Sequence, residues 1–433
     1  MEKRKILFCT VDSWNTHSVA SSANTYINLF DDYPQELKAA LFIREEYPDS
    51  DSCSSYFQIS ERKVINSIFH RSVVTGKVLT PFSNPDGQDI KDLKKTQELY
   101  NKNRKKRSYL KLFIRELIWK CGNWKSKALD DFVDSFKPDI IIFSMEGYIH
   151  FNRICRYVTK RSGAKAIGYF WDDTFTYKQV PGSIGFKLYR FFQRVSLKKT
   201  VKVCSEFWAI TPKTKQEADV LFNINSIVIT KPLLSEVGVS NLDDKAIHSP
   251  IRLLYTGNLA IGRYDTLKIL SDVVSVINKE GCKVIVDVYT NSFLTSEQRE
   301  VLNESITIHD PVTPVEVLKL QRSADVLLFM EDMVGSNSMK ARLSFSTKIT
   351  DYLSAGKCIL ALGPRDIAPM DYLITEDAAL CATSVNEVYM ILSLIAENSN
   401  LITDYGVKAM ECGKRNHDRN KIKQIISDTL DRL

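Results

Sequence analysis

Short apolar runs alternate along this chain with longer stretches in which apolar positions recur every three or four residues. The first pattern predicts buried strands and the second amphipathic helices, and their alternation is that of βαβ units, which build parallel sheets with helices on both faces. Strands are expected at 5–11, 39–43, 139–143, 164–170, 207–210 and 226–230. A second series follows at 251–255, 283–289, 305–309, 326–329, 358–361 and 379–381. The restart falls in 233–250, a polar stretch with Gly238 and Pro250 and no clear period. The fold class is therefore α/β, with two doubly wound, Rossmann-like domains at 1–235 and 250–413, facing across a cleft, and a polar C-terminal helix over 414–433. Residues 45–108, polar and carrying Pro48, Pro81, Pro85 and Gly87, read as an insertion with long loops.

Composition narrows the class. The chain has 433 residues, 44% hydrophobic and 26% charged, which excludes a disordered or fibrous protein, and at about 150 residues per domain it exceeds one core. The 59 Lys and Arg against 52 Asp and Glu leave a formal charge of +7, favouring anionic partners without the strong basicity of a nucleic-acid binder. Nine scattered cysteines with no Cys-x-x-Cys pair argue for a reducing cytosol. The apolar start of the chain is cut short by Asp12, too early for a signal peptide, and no run approaches the ~20 apolar residues of a membrane span. Any membrane contact is expected to be peripheral.

Two segments carry chemistry. Leu254-Tyr255-Thr256-Gly257-Asn258-Leu259-Ala260-Ile261-Gly262-Arg263 is a strand entering a glycine-bearing turn before a helix. Glycine permits close backbone approach and a helix N-terminus offers unpaired N–H groups, so the turn suits a phosphate or diphosphate, which Arg263 can grip; a tight turn with a solvated arginine fits the same pattern. In Ser344-Phe345-Ser346-Thr347-Lys348-Ile349-Thr350-Asp351-Tyr352-Leu353-Ser354-Ala355-Gly356-Lys357, Ser344 or Ser346 caps a helix ended by Gly356. Lys348 and Asp351 share one face, suited to phosphate and to ribose hydroxyls, or to a plain surface ion pair.

In this order and spacing the two segments resemble the nucleotide-sugar half of GT-B glycosyltransferases, above all the family-4-like bacterial enzymes that build capsule, O-antigen and other surface polysaccharides. The run from Ser346 resembles that family's Pro-x-Lys-x-x-Glu-Tyr-Leu-Ala-x-Gly-Lys signature. The stretch His309-Asp310-Pro311-Val312, followed by Ala324-Asp325-Val326, resembles its base-binding turn and next strand. The resemblance implies a UDP- or GDP-sugar donor held by Gly257, Asn258, Arg263, Tyr289, Asp310, Val312, Ser346, Thr347, Lys348 and Asp351. It also implies no cofactor, no essential metal, an acceptor on the N-terminal domain, a C-terminal helix returning to that domain, and retention of configuration. The sequence departs from the family at its paired glutamates, since Leu343 stands eight residues before Asp351, and in its first loop, Asp12-Ser13-Trp14-Asn15-Thr16-His17, where glycines are usual.

Sugar transfer needs charge stabilisation of the departing diphosphate, assigned to Arg263 and Lys348, and a base if configuration inverts. Glu146, Asp172 and Asp173 follow predicted strands and are candidate catalytic groups, as is His17; N-capping or a plain surface role is the other reading of each. Lys187, Arg190, Arg194 and Lys198 form a basic stripe over 184–202 beside an apolar one, Ile184, Leu188, Phe191 and Val195. A second basic cluster runs from Lys102 to Arg107, before the apolar-aromatic segment 109–119. These fit a lipid-linked acceptor at the inner face of the cell membrane, or a core helix with a solvated basic side. The overall expectation is a cytoplasmic glycosyltransferase acting on a glycan or lipid-linked glycan, with a GT-B nucleotide-sugar epimerase or a non-catalytic assembly module as rivals, and no nucleic-acid partner.

Overall fold

The structure, a computed structural model, describes residues 3–14, 21–83, 87, 108–180, 182–233, 247–302 and 304–433. His17, the cluster from Lys102 to Arg107 and most of the 233–250 stretch lie outside the described residues. The chain forms two compact units. Unit 1 comprises Met1–Ile210, Thr214–Ile229 and Lys423–Leu433; unit 2 comprises Thr211–Lys213 and Thr230–Ile422.

Unit 1 is built on eight strands: β1 (Ile6–Thr10), β2 (Lys38–Phe42), β3 (Ser55–Ile59), β4 (Gly76–Leu79), β5 (Ile140–Ser144), β6 (Lys165–Phe170), β7 (Glu206–Ala209) and β8 (Ile227–Val228). Their order is β4-β3-β2-β1-β5-β6-β7-β8, parallel except where β4 runs against β3. Its helices are α1 (Ser21–Leu29), α2 (Glu61–Asn66), α3 (Tyr109–Cys121), α4 (Lys127–Phe136), α5 (Ile149–Ser162), α6 (Ile184–Val201) and α7 (Pro212–Phe222). Strands β1 and β5 are buried along their whole length, the reason they read as continuous apolar runs in the sequence.

Unit 2 carries β9 (Ile251–Thr256), β10 (Val284–Tyr289), β11 (Ile306–His309), β12 (Val326–Met330), β13 (Cys358–Leu362) and β14 (Leu380–Ala382), all parallel, in the order β11-β10-β9-β12-β13-β14. Between them run α8 (Arg263–Ile277), α9 (Ser296–Glu300), α10 (Pro314–Ser323), α11 (Thr347–Ala355), α12 (Ala368–Thr375), α13 (Val385–Glu397) and α14 (Asn400–Asn416); α15 (Arg419–Arg432) closes the chain. In both sheets the strand order reverses once, between β1 and β5 and between β9 and β12. Loops at the carboxyl ends of strands flanking such a reversal part to opposite sides and leave room for a ligand.

Three expectations are corrected. The 45–108 stretch is not simply an insertion of loops: it contains β3, α2 and β4. Its Gln58, buried in β3, escapes a periodicity reading because its amide is satisfied out of sight, donating to the carbonyls of Arg44 (2.9 Å) and Glu46 (2.8 Å). The helix expected over 414–433 breaks at His417, whose buried ring bonds the Lys231 carbonyl (2.9 Å) and the Tyr372 hydroxyl (2.9 Å). On α6, Arg190 does not join a surface stripe. It is buried, with its guanidinium donating to the Asp173 carbonyl and to Gln179, while the apolar residues Ile184, Leu188, Phe191 and Val195 face out.

Candidate functional site

In unit 2 the two motif segments meet. Strand β9 delivers Tyr255 and Thr256 to its carboxyl end, and the turn proceeds through Gly257 and Gly262 at φ of 140° and 81°, with Gly262 as the N-cap of α8. A β-carbon on Gly257 would lie 2.0 Å from Lys348 Nζ, so the missing side chain is what admits the lysine. A β-carbon on Gly262 would collide with Asp332, whose carboxylate accepts N–H bonds from Gly335 (2.7 Å) and Asn337 (3.0 Å) and so folds the loop after β12.

Arg263 and Lys348 are held in different ways. The Arg263 guanidinium donates to Asn258 Oδ1 (2.9 Å), Glu331 Oε1 (2.8 Å) and the Met330 carbonyl (3.2 Å), which fixes its plane. Lys348, in the first turn of α11, donates to the Tyr255 hydroxyl (3.3 Å) and lies over its ring, 4.5 Å from the centroid. Burial first, and the nearby Arg263 second, push its ammonium down to about 8. Such a buried ammonium, at the start of α11 and beside the start of α8, is stabilised by an incoming anion.

The remaining donor candidates spread around this centre. Asn258 braces Arg263. Ser346 occupies the N-cap of α11 but its side chain makes no capping bond, and Thr347 is the first helical residue. Tyr289, at the end of β10, stacks on His309 with ring centroids 4.4 Å apart, and His309 Nε2 is 2.7 Å from Asp287 Oδ1. Asp310 is exposed and Val312 partly buried in the turn after β11. Asp351, one helical turn beyond Lys348, pairs with Lys231 at 2.9 Å. Leu343 is fully buried, an apolar core position where the resembled family carries an acid. Sequence reasoning missed Glu331 and Lys231. Glu331 had a readable signal, as an acid directly after a buried strand; Lys231 had none, since its partner lies far along the chain.

In unit 1 the corresponding loops gather Asp12, Arg44, Glu146 and Asp172. Asp12 and Arg44 form an ion pair, and Glu46 accepts from the backbone N–H (3.0 Å) and hydroxyl (3.1 Å) of Ser13. Burial, helped by the charges of Asp172 and Asp12, raises the Glu146 carboxyl to about 8, so it is mostly protonated at neutral pH. Asp172 is exposed nearby, and Trp171 stacks on Tyr169 at 4.2 Å. Asp173 is buried and serves its own loop: its carboxylate accepts from the Thr176 N–H (2.8 Å) and hydroxyl and from the Phe175 N–H (3.4 Å). The sequence cannot separate these adjacent acids, because only the turn geometry decides which one points back.

No family model matches the chain and no curated protein matches its sequence. Solved structures do match it over essentially its full length. Anabaena Alr3699/HepE in complex with UDP superposes with a TM-score of 0.62 at 12% identity, covering 99% of this chain and 100% of that one. The chain has the GT-B fold. The same protein in complex with UDP-glucose gives 0.59 at 11% identity, covering all of both chains. An α,α-trehalose-phosphate synthase (UDP-forming) from Burkholderia vietnamiensis gives 0.59 at 8% identity, with 99% of this chain and 100% of that one covered. Within a GT-B chain, the Gly257 turn and the first turn of α11 lie at the strand-order reversal of unit 2, as the Asp12 and Glu146 loops do in unit 1.

Proposed function

We propose that this chain is a glycosyltransferase that moves a sugar from a nucleotide-diphosphate donor to a glycan or lipid-linked glycan. The donor is a UDP-sugar, by analogy with the fold neighbours solved with UDP and UDP-glucose. The observation that carries the reading is the convergence of Lys348 Nζ and Arg263 on the Gly257 turn. Two cations at two helix starts stabilise the charge that develops when the bond between the anomeric carbon and the β-phosphate oxygen breaks and its electron pair leaves with the diphosphate. Gly257, Asn258, Ser346 and Thr347 line this centre, Asp351 and its partner Lys231 hold the ribose, and Tyr289, Asp310 and Val312 hold the base.

Unit 1 holds the acceptor at Glu146 and Asp172, with His17 contributing from the first loop. Transfer proceeds with retention, as in the family-4-like enzymes of surface-polysaccharide synthesis that the motifs resemble. In same-face attack the acceptor hydroxyl forms the new bond and its proton passes to the departing phosphate oxygen. The largely neutral Glu146 carboxyl then orients that hydroxyl. The protein works at the inner face of the membrane, which Lys187, Arg194 and Lys198 of α6 approach.

The test is a thermal-shift screen with UDP, GDP, ADP and CMP, followed by incubation with the sugar conjugate of whichever nucleotide binds. Stabilisation by UDP and transfer of its sugar to an added glycan are expected. Epimerised donor, or nucleotide binding with no turnover, would replace this reading.

A further inference from the structure

Helix α3 is amphipathic in an unusual sense: one stripe of it is apolar and open to solvent. Leu110, Ile114 and Leu117 follow one another at helical spacing and are 69%, 49% and 58% exposed. Helix α6 lies against α3, with Phe113 edge-on to Tyr189 at 5.2 Å and to Phe192 at 5.8 Å, and it adds Ile184, Leu188, Phe191 and Val195 to the exposed set. A folded chain rarely shows so continuous an apolar surface unless something covers it.

The charges on these helices say what covers it. Helix α6 has no acidic residue, and Lys187 and Lys198 are exposed along it. The single acid of α3, Glu116, is turned inward, where it accepts from the backbone N–H groups of Ile149 (3.0 Å) and His150 (2.8 Å). The surface therefore presents aliphatic side chains and ammonium groups without an exposed carboxylate from either helix. A protein partner of mixed charge gains little there, whereas the boundary between lipid headgroups and acyl chains matches both features.

The stripe also leads to a pocket. One turn beyond Leu117 lie Lys120 and Cys121, which with Arg71, Trp124, Lys125 and Arg153 line a cavity of about 570 Å³. Four of its lining residues are cations and none is an acid. Arg71 donates to the Cys121 carbonyl (3.2 Å), which offsets the negative end of α3, and Lys125 lies over the Trp124 and Tyr157 rings. Among the described residues, Lys120 and Arg153 have no acidic partner.

We propose that unit 1 docks on an anionic bilayer through this surface. A lipid headgroup phosphate sits in the pocket of Arg71, Lys120, Lys125 and Arg153, and the stripes of α3 and α6 enter the headgroup boundary. The inference rests on the reading of a lipid-linked acceptor and deepens it, naming the lipid class and moving the principal phosphate contact from α6 to the end of α3.

The experiment is flotation of the full chain with vesicles of pure phosphatidylcholine and of equal parts phosphatidylcholine and phosphatidylglycerol. The chain floats with the mixed vesicles and stays behind with the neutral ones. Lys120→Glu with Arg153→Glu lowers the vesicle partition coefficient by about tenfold or more, as does Ile114→Ser with Leu117→Ser. Circular dichroism and the UDP thermal shift, unchanged in both variants, show that the chain remains folded and keep this test separate from the donor site. Three results overturn the proposal: no flotation with the mixed vesicles, flotation that ignores the Lys120/Arg153 variant, or a stabilisation by inorganic phosphate that this variant abolishes while vesicles fail to bind. The last would assign the pocket to a soluble phosphate. Flotation by a chain that glycosylates only soluble acceptors would leave the docking surface standing and remove the lipid-linked acceptor.

Discussion

Gly257 and Lys348 share one space: a β-carbon on the first would lie 2.0 Å from the ammonium of the second. The residues are far apart in sequence, and their contact joins the glycine turn after β9 to the first turn of α11. Gly257→Ala must therefore displace the lysine, and its backbone at φ 140° also disfavours a side chain. Isothermal titration should show nucleotide affinity falling by about tenfold, the loss of roughly one charge-assisted hydrogen bond. Unchanged affinity would mean that Lys348 does not contact the nucleotide.

Arg263→Ala and Lys348→Ala should each weaken UDP binding by more than about tenfold, on the order of 1.5 to 3 kcal/mol for a hydrogen bond to a charged group. Arg263→Lys should recover little, because an ammonium cannot reach Asn258, Glu331 and the Met330 carbonyl together. Wild-type affinity in both alanine variants would remove the donor-site assignment.

The lowered Lys348 ammonium makes binding depend on pH. Its value in the free protein is about 8, and a bound diphosphate favours the charged form and raises it. UDP affinity should hold steady below pH 8 and fall as pH rises above it, with proton uptake on binding in that range. In Lys348→Met this limb should vanish. A pH-independent affinity up to pH 9.5 would contradict the assignment.

Glu146, raised to about 8 against an ordinary value of 4.5, holds its proton when folded and loses it when unfolded between those limits. The folded state binds more protons there, so the group's contribution to stability declines as pH rises from 4.5 to 8. Glu146→Gln should raise the melting temperature by an amount that grows across this range and then levels off. At neutral pH the same variant should keep activity within about fivefold, because the neutral carboxyl is already the working form; a loss of about a hundredfold would identify Glu146 as a general base and the attack as opposite-face.

His417 titrates in the other sense. Burial lowers its imidazole to about 4, so between 6.5 and 4 the unfolded chain binds a proton that the folded chain does not, and stability falls as pH drops through that window. His417→Ala should cost about 1 to 3 kcal/mol at pH 7.5 by leaving the Lys231 carbonyl without its ring partner and removing one of the three side-chain partners of the Tyr372 hydroxyl, and it should flatten the acid limb of a urea-denaturation series. An acid limb as steep as that of the wild type would place the responsible group elsewhere.

Much of the candidate site in unit 2 is legible in the sequence because its signals are local. A strand that runs into Gly257 and is followed by Gly262-Arg263 marks, by backbone requirements alone, a turn into a helix that suits a phosphate. Lys348 stands in a first helical turn, two residues after a serine at the N-cap position. Glu331 was overlooked although it occupies the same kind of strand end, because nothing around it in sequence says that it braces Arg263. On α6 only Arg190 leaves the basic stripe: it lies inside, donating to the Asp173 carbonyl and Gln179, while the apolar stripe is outside because α6 packs through Phe186, Tyr189 and Leu197. Periodicity finds the stripes of a helix but not which of them faces the sheet.

Sequence alone determined the alternation of strands and helices, the all-parallel second sheet and the two cation-bearing motifs, since each follows from side-chain period, backbone freedom or helix-end chemistry within a few residues. Tertiary structure alone decided how neighbouring acids are placed. Asp172 and Asp173 are neighbours of one residue type, yet one is exposed and the other is consumed by Thr176 and Phe175. It also decided that Lys348 lies against Gly257, that Lys231 meets Asp351 and that four cations surround one pocket. These relationships depend on which strands neighbour one another and on how low-dielectric surroundings set the cost of a charge, and neither is written in any short stretch of the chain.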